Sequence, residues 1–279
     1  MSVRIITDST ADIRPALAER IPFVPLMIRF GDKEYIDGVT MSRQEFYRQL
    51  QVCTDLPTTS QPAPTLFEEA YAEAVEAGDQ VIVITISSKL SGTFQSANIA
   101  AMDFDDNVFV IDSESATIGA GLLAERALQM AAEGMSAKDI AAALEEDKKK
   151  LTLFATLDTL EYLVRGGRLS RVAGIAGGLL NIKPVITIRN GSIEVVGKAR
   201  GNKQGNTMMA KEIEKCGGID FTKPIMTGFT GQSDELLRKY LADSAEQLAQ
   251  AGTMDIAVLS GTIGTHVGPG AFAIAFFKN

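Results

Sequence analysis

The sequence predicts an α/β protein with two domains, and three features carry that prediction. Residues 1–150 alternate between short apolar strand segments and amphipathic helical segments, as α/β folds require. The run Gln80–Ile86 is almost entirely β-branched, which is typical of a strand buried on both faces of a parallel sheet. Residues 151–279 are richer in strands and contain Asn190-Gly191, a strong two-residue hairpin signal. We therefore expect an N-terminal α/β domain with a parallel sheet over 1–150 and a mixed α/β domain over 151–279.

The elements of the first domain are predicted from periodicity and capping residues. Ser42 and Glu45 form a capping box, and Ser136 caps a helix whose three final lysines suit the negative end of its dipole. In order the elements are strand 3–7, helix 12–20, strand 23–30, a hairpin-like turn at 31–34, helices 42–50 and 65–77, strand 80–86, helix 93–102, strand 107–111, and helices 117–133 and 136–150.

The second domain is predicted from shorter apolar segments. An Arg/Gly-rich loop lies between two short helices, and no repeats or long linkers interrupt the pattern. In order the elements are strand 151–157, helices 158–164 and 170–179, strands 184–189 and 192–200, helix 205–216, strand 224–229, helix 232–250, strand 254–260 and a final strand from residue 271.

Composition places the chain among ordinary globular proteins, with 46% hydrophobic and 22% charged residues. No apolar run approaches the ~20 residues of a membrane-spanning helix, and the first residues lack a signal-peptide pattern. Cys53 and Cys216 are too few and too ill-spaced for a disulfide framework or a zinc site. We therefore expect a cytoplasmic, reduced protein with no integral membrane association.

Charge is distributed unevenly. The net charge is −8, which argues against general binding to nucleic acid. Residues 165–203 hold eight basic residues and one acidic residue, a net charge of +7, which leaves −15 for the rest of the chain. This basic segment is either a solvated face or a docking surface for an acidic partner or a phosphate group.

The segment Ser87–Thr93 is a candidate anion site. It follows the buried strand and opens a helix, and ligands bind at this carboxyl edge of parallel sheets. Hydroxyls and free N–H groups at a helix start suit an anion. The alternative is that Ser91 only caps the helix, but four hydroxyls exceed what one cap needs. The sequence therefore favours an anion site.

Two further segments could contribute to the same site. In Leu56–Pro64 the prolines hold Thr58, Thr59 and Ser60 extended, which suits either a plain connector or a strip of ligand contacts. His266, the only histidine, lies in a glycine-rich loop, where the backbone can approach a ligand closely. It is either a structural hydrogen-bonding residue or, when neutral, a donor to a bound anion.

Several enzymatic sites are disfavoured because the residues of this chain do not match the spacing of the known motifs. Asp8 could act as an acid or a metal ligand, but Thr10 occupies the position where phosphoaspartate enzymes need a second carboxylate, so a structural role is favoured. Gly119–Ala124 matches a dinucleotide fingerprint, yet it lies inside a helix with no following acidic residue, which favours close helix packing. Gly191–Lys198 resembles a P-loop but has the wrong spacing, and Ala199 replaces the Ser or Thr that binds magnesium. No G-x-S-x-G motif or recognisable triad is present.

Seven motifs spread from near the start to near the end of the chain resemble those of the DegV family. They are Thr7-Asp-Ser-Thr-Ala-Asp12, Thr59-Ser-Gln-Pro62, Ser87-Ser-Lys-Leu-Ser-Gly-Thr93, Leu160-Glu-Tyr-Leu-Val-Arg-Gly-Gly-Arg-Leu169, Ile182-Lys-Pro-Val185, Lys198-Ala-Arg200 and Gly264-Thr-His-Val-Gly-Pro-Gly270. The resemblance implies two α/β domains with a ligand tunnel between them. It also implies a bacterial fatty-acid-binding protein, the non-catalytic, acyl-carrying subunit of fatty acid kinase, with no cofactor or metal.

The resemblance also implies roles for individual residues. Arg168 and Arg200 would dock the separate kinase subunit, which phosphorylates the fatty acid so that the acyl phosphate can pass to an acyltransferase of phospholipid synthesis. Gly177–Leu180 and Ala271–Phe277 are candidates for the tunnel wall, but ordinary core is favoured for both. The residues that would hold the carboxylate of a long-chain fatty acid are Thr59, Ser60, Ser91, Gly92, Thr93 and His266.

Two other functions compete with this one. The chain could be an acyl- or phosphotransferase that acts on its own through Asp8 or His266. A DNA-binding regulator is disfavoured by the acidic net charge.

Overall fold

The computed structural model describes residues 2–169 and 182–279, and the predicted α/β class is confirmed. The predicted helix at 170–179 and the candidate wall segment Gly177–Leu180 lie outside the described residues. The strands are β1 (Val3–Asp8), β2 (Phe23–Val24), β3 (Met27–Phe30), β4 (Lys33–Ile36), β5 (Thr58–Ser60), β6 (Gln80–Thr85), β7 (Val108–Asp112), β8 (Leu151–Thr156), β9 (Ile182–Arg189), β10 (Ser192–Arg200), β11 (Met226–Phe229), β12 (Ile256–Val258) and β13 (Phe272–Phe277). The helices are α1 (Arg43–Val52), α2 (Pro64–Glu76), α3 (Thr93–Ala101), α4 (Thr117–Ala132), α5 (Ala137–Lys150), α6 (Glu161–Arg165), α7 (Gly201–Lys215), α8 (Glu235–Asp243) and α9 (Gly261–Val267), with short 3₁₀ helices at Pro15–Arg20 and Asp105–Asn107.

The strands form three sheets in the described part of the chain. The first is a parallel sheet in the order β2-β1-β6-β7. The second has the order β10-β9-β8-β13-β11-β12 and is antiparallel except for the β11–β12 pair. The third is a small antiparallel sheet, β4-β3-β5. The two large sheets draw their strands from opposite sides of residue 150, and the division into domains 1–150 and 151–279 stays a prediction.

Helix α4 lies between the two large sheets. It contacts β1 and β6 of the parallel sheet and β8, β11 and β13 of the mixed sheet. Its Ile118, Leu122 and Leu123 are fully buried, in one apolar cluster with Ile84 and Leu153 of the two sheets. Because this helix is apolar on several faces, it joins the two halves through a continuous core.

Three predicted elements differ from the structure. The predicted helix 232–250 is shorter and ends at Asp243, as α8. The predicted strand 23–30 is split at Pro25, which has no N–H for a ladder. Consequently β2 pairs with β1 while β3 pairs with β4 and β5. The predicted helix 12–20 begins only at Pro15 as a 3₁₀ turn, because Asp12 is buried and its side chain accepts hydrogen bonds from other parts of the fold.

Candidate ligand-binding site

A cavity of about 80 Å³ lies between the two halves of the chain. This volume is smaller than the roughly 300–1,000 Å³ that is usual for small-molecule sites. Most of its wall is aliphatic, with Ile86 and Leu90 from the first half and Leu153 and Ile186 from the second. The polar side chains that reach it are Thr59, Ser91, Thr117, Arg168, Thr262 and His266.

One cross-strand pair in the mixed sheet contributes small side chains to the cavity wall. Ala155 of β8 lies opposite Ala273 of β13, and both side chains line the cavity. Of the candidate wall segment Ala271–Phe277, the residues Ala271, Phe272 and Ala273 line the cavity.

Thr59 and His266 meet at the cavity. Thr59 Oγ1 lies 2.8 Å from His266 Nε2. Thr59 is the middle residue of β5, where it pairs with Ile28, and successive side chains of a strand point to opposite faces. Thr58 and Ser60 are therefore exposed while Thr59 points inward.

His266 lies in the last turn of α9, so the prediction that the glycine-rich segment around it forms a loop is wrong. Ser260 caps this helix by accepting the N–H of Ile263. Two of the glycines, Gly261 and Gly264, serve helix packing. A Cβ on Gly264 would lie 2.6 Å from Phe46 and 2.8 Å from Tyr47 of α1, and one on Gly261 would lie 3.0 Å from Phe46. Only Gly268 and Gly270 have a positive φ, where the chain leaves the helix.

The His266 ring is neutral at pH 7. Burial is the main cause that lowers its pKa from 6.5 to about 4, and the positive charge of Arg168 lowers it further. A neutral imidazole has one donor and one acceptor nitrogen. The Nδ1 atom is buried and has no hydrogen-bond partner within 2–169 and 182–279. It lies against Gly166, where any Cβ would collide with it.

The Ser91 segment precedes α3 and is tied to the Thr59 segment. Ser91 Oγ lies 2.8 Å from Thr93 Oγ1 and accepts the N–H of Thr93 at 3.3 Å. Gln61 donates to Ser96 of α3 at 2.9 Å, and its side chain fills the space that a Cβ on Gly92 would need. The two hydroxyl-bearing segments are therefore held together at the cavity.

The structure brings together only part of the predicted carboxylate site. Thr59, Ser91 and His266 line the cavity. Thr93 is fully buried behind Ser91 and Gly92 packs against Gln61, so both support the segment. Ser60 is exposed on the opposite face of β5 and is not brought to the cavity.

Not every hydroxyl of the Ser87–Thr93 segment faces the cavity. Ser87 donates to the carbonyl of Gly191 at 2.8 Å, which links the two halves of the chain, and Ser88 is exposed. The single hydroxyl of this segment at the cavity is that of Ser91.

The two arginines predicted to dock a partner occupy different surroundings. Arg168 is half-buried and lines the cavity, where it donates to the carbonyls of Leu90 at 3.0 Å and Gly166 at 2.7 Å. Arg200 is exposed at the end of β10. Arg168 therefore places its positive charge beside the polar end of the cavity, whereas Arg200 faces solvent.

Asp8 is not a cavity residue. It is fully buried and accepts from the N–H and hydroxyl of Thr10 and from the N–H of Ile86 at 2.7 Å. Burial is the main cause that raises its pKa. Its oxygens are occupied by structural donors at the end of the parallel strands, which supports the structural interpretation.

Within the described residues, no cluster of three or more His, Cys, Asp or Glu side chains is arranged to hold a metal ion. Over the same residues, no helix combines the length and apolarity needed to span a bilayer.

Comparison with known proteins identifies the family. The sequence model described as "Uncharacterised protein, DegV family" matches residues 2–279. The chain belongs to the DegV family. A DegV domain-containing protein of Caldanaerobacter subterraneus subsp. tengcongensis is 37% identical to it over 284 residues, which cover 98% of each chain.

Solved DegV structures share the fold over the whole length. A structure described as fatty acid binding of a DegV family protein from Thermus thermophilus superposes with a TM-score of 0.90 at 31% identity and covers 100% of both chains. DegV of Bacillus subtilis, described as a fatty acid binding protein, superposes with a TM-score of 0.84 at 31% identity, again over 100% of both chains. The predicted DegV resemblance and its α/β fold are confirmed.

Sequence reasoning missed several residues around the cavity of this DegV chain. Thr117 has φ 51°, a left-handed conformation that is unusual for a β-branched residue, and its hydroxyl binds the buried Asp12. Thr262 binds the buried Asp37 at 2.6 Å. No sequence signal marks these pairs, because their members lie more than 100 residues apart along the chain.

Proposed function

We propose that this chain binds a long-chain fatty acid in the cavity between its two halves, with the carboxylate at the Thr59–His266 end. The observation that carries the proposal is an aliphatic cavity whose free polar groups are concentrated in one place. Thr59 is hydrogen-bonded to His266, and Arg168 donates a hydrogen bond to the carbonyl of Leu90, the residue before Ser91. The fatty acid binding described for the Thermus and Bacillus DegV proteins supports a fatty acid as the ligand.

The polar end suits a carboxylate. A buried carboxylate is costly unless several donors receive it, and hydrogen bonds to an ionised acceptor are the strong ones. If Nε2–H of the neutral His266 donates to Thr59 Oγ1, the threonine hydroxyl is free to donate to the ligand. Ser91 supplies a second hydroxyl, and Arg168 supplies positive charge nearby. Thr117 and Thr262 are engaged by buried aspartates and do not compete.

The aliphatic wall suits a long acyl chain. Burying about 14 methylenes at ~0.8 kcal/mol each gives on the order of 11 kcal/mol of gross stabilisation. Ordering the chain and immobilising the ligand remove a large part of this. The apolar side chains that line the cavity from both halves of the protein favour such burial.

We further propose that the bound acid is presented to a separate kinase subunit in the cytoplasm. That subunit phosphorylates the carboxylate, and the acyl phosphate then serves phospholipid synthesis. The chain itself is the non-catalytic carrier. One support is that both oxygens of Asp8 accept structural hydrogen bonds, from Thr10 and Ile86. A second is a set of exposed basic residues that form no ion pair with the described residues, namely Lys198, Arg200 and Lys203.

Ligand binding is tested by native mass spectrometry of the protein as purified. We expect an adduct with the mass of a fatty acid, which organic solvent extracts and added palmitate or stearate restores. Delipidated, folded protein that binds neither acid at micromolar concentration would refute the carrier function. Turnover of ATP or acyl phosphate by this chain alone would instead support the competing transferase.

Kinase docking is tested with Arg200→Ala. The variant should keep its lipid, because Arg200 lies on the surface, but should support kinase-coupled phosphorylation at least tenfold more slowly, as expected for losing a charged docking contact. Arg189→Ala is the matched control, since Arg189 is an exposed arginine of the same hairpin that is paired with Glu194. Normal phosphorylation with Arg200→Ala removes the docking role of that residue.

A further inference from the structure

Asp37 is a buried carboxylate that acts on the helix carrying the only histidine. It lies between β4 and α1 and is 2% exposed. Its oxygens accept from the N–H of Gly261 at 3.2 Å and from the N–H and hydroxyl of Thr262 at 3.1 and 2.6 Å. A third residue, Ser9, donates to it at 3.3 Å. The two N–H groups belong to the first turn of α9, where a helix has no internal acceptors.

Helix α9 depends on such external contacts. It has seven residues, and helices shorter than roughly 12–15 residues are marginal without tertiary support. The carboxylate of Asp37 also complements the positive end of the helix dipole. Asp12 holds the preceding residue by accepting the N–H of Ser260 at 3.0 Å. The start of α9 is therefore fixed by two buried carboxylates.

The position of His266 follows from the position of that first turn. His266 lies in the last turn of the same short helix, and its Nε2 is 2.8 Å from Thr59 Oγ1. A hydrogen bond of this length is lost when its atoms separate by about 1 Å. Sliding or rotating α9 by that amount would therefore break the pair while leaving the sheets in place.

We propose that Asp37 is a positioning residue of the ligand site, which fixes the axial position of α9 and so holds His266 against Thr59. This inference rests on the proposed function, in which the Thr59–His266 pair receives a carboxylate. Asp37 does not line the cavity among the described residues, so it acts through α9 and not on the ligand itself.

The test is Asp37→Asn in the full chain. Asparagine keeps the size of the side chain, but its amide nitrogen cannot accept, so an N–H of the first turn loses its acceptor. Because His266 is the only histidine, ¹⁵N-histidine labelling reports its two ring nitrogens without overlap. We expect the wild-type signals to show one dominant tautomer. In the variant we expect tautomer averaging and roughly tenfold weaker palmitate binding, the effect of one lost buried hydrogen bond.

Asp8→Asn is the matched control. Asp8 is also a fully buried carboxylate with main-chain donors, but its hydrogen bonds go to Thr10 and Ile86 and not to α9. We expect it to lower the melting temperature while the His266 signals and palmitate affinity stay as in the wild type. The inference is overturned if Asp37→Asn keeps wild-type histidine signals and affinity, or if both variants change them equally.

A second variant covers a folding failure of Asp37→Asn. Thr262→Val removes only the hydroxyl that donates to Asp37, and it should shift the histidine signals in the same direction by a smaller amount. Unchanged histidine signals in this variant would count against the inference. If wild-type protein binds no fatty acid, the proposed function fails, while the histidine signals still decide whether Asp37 positions His266.

Discussion

Replacing Thr59 by valine is the sharpest test of the polar end of the cavity. Valine has nearly the same shape as threonine and suits a strand, so β5 and the cavity wall should keep their geometry. The substitution removes the hydroxyl that lies 2.8 Å from His266 Nε2. Both the imidazole and a bound carboxylate then lose a hydrogen-bond partner in a buried site.

The magnitude follows from that loss. An unsatisfied buried polar group costs about 1–3 kcal/mol, and each 1.4 kcal/mol changes a dissociation constant tenfold. We therefore expect palmitate to bind Thr59→Val roughly 5- to 150-fold more weakly than the wild type. Isothermal titration calorimetry on delipidated protein at pH 7.5 measures this directly.

Thr58→Val is the control for the substitution. Thr58 lies in the same strand with its side chain exposed on the other face, so its variant should bind as the wild type does. Binding by Thr59→Val within twofold of the wild type would show that this hydroxyl does not receive the ligand.

Two further predictions concern the imidazole. Gly166→Ala should weaken palmitate binding roughly tenfold, because Gly166 has φ −72° and tolerates alanine, yet the added methyl would collide with His266. Gly205→Ala, whose Cβ would find ordinary contacts from 3.5 Å, is the control, and equal affinities for the two variants contradict the role of Gly166. His266→Gln should alter the pH dependence of stability. Because the folded pKa of about 4 lies below 6.5, the unfolded chain takes up the proton first as pH falls. Wild-type stability relative to the variant should then drop by about 2 kcal/mol between pH 7 and 5 in urea unfolding. The comparison with the variant is needed because the buried aspartates have raised pKa values, which make stability rise as pH falls, opposite to the effect of His266. A stability difference between wild type and variant that does not change with pH would refute the low pKa of His266.

Local sequence signals predicted much of the fold. The hairpin at Asn190-Gly191 forms with positive φ at both residues, as the dipeptide indicated. The capping box of Ser42 and Glu45 is complete in the structure. These features depend on residues close together in the chain, so their chemistry can be read from the sequence.

Long-range contacts explain most of what the sequence could not predict. The bond between Asp37 and Gly261 joins residues 224 positions apart, and nothing near either residue announces it. The helical conformation of α9 was hidden because its glycines serve packing against α1. The exposure of Ser60, by contrast, follows from strand alternation once Thr59 is placed inward.

Under the proposed function, the facing alanines of β8 and β13 set the room for the acyl chain separately from the residues that would hold the carboxylate. Ala155 and Ala273 leave room in the mixed sheet, whereas the donors come from β5, α9 and the segment before α3. A bulkier residue at either alanine would shorten or narrow the cavity without changing Thr59 or His266. If the proposed function is right, DegV proteins can therefore differ in the length of the acyl chain they accommodate while the carboxylate is held in the same way.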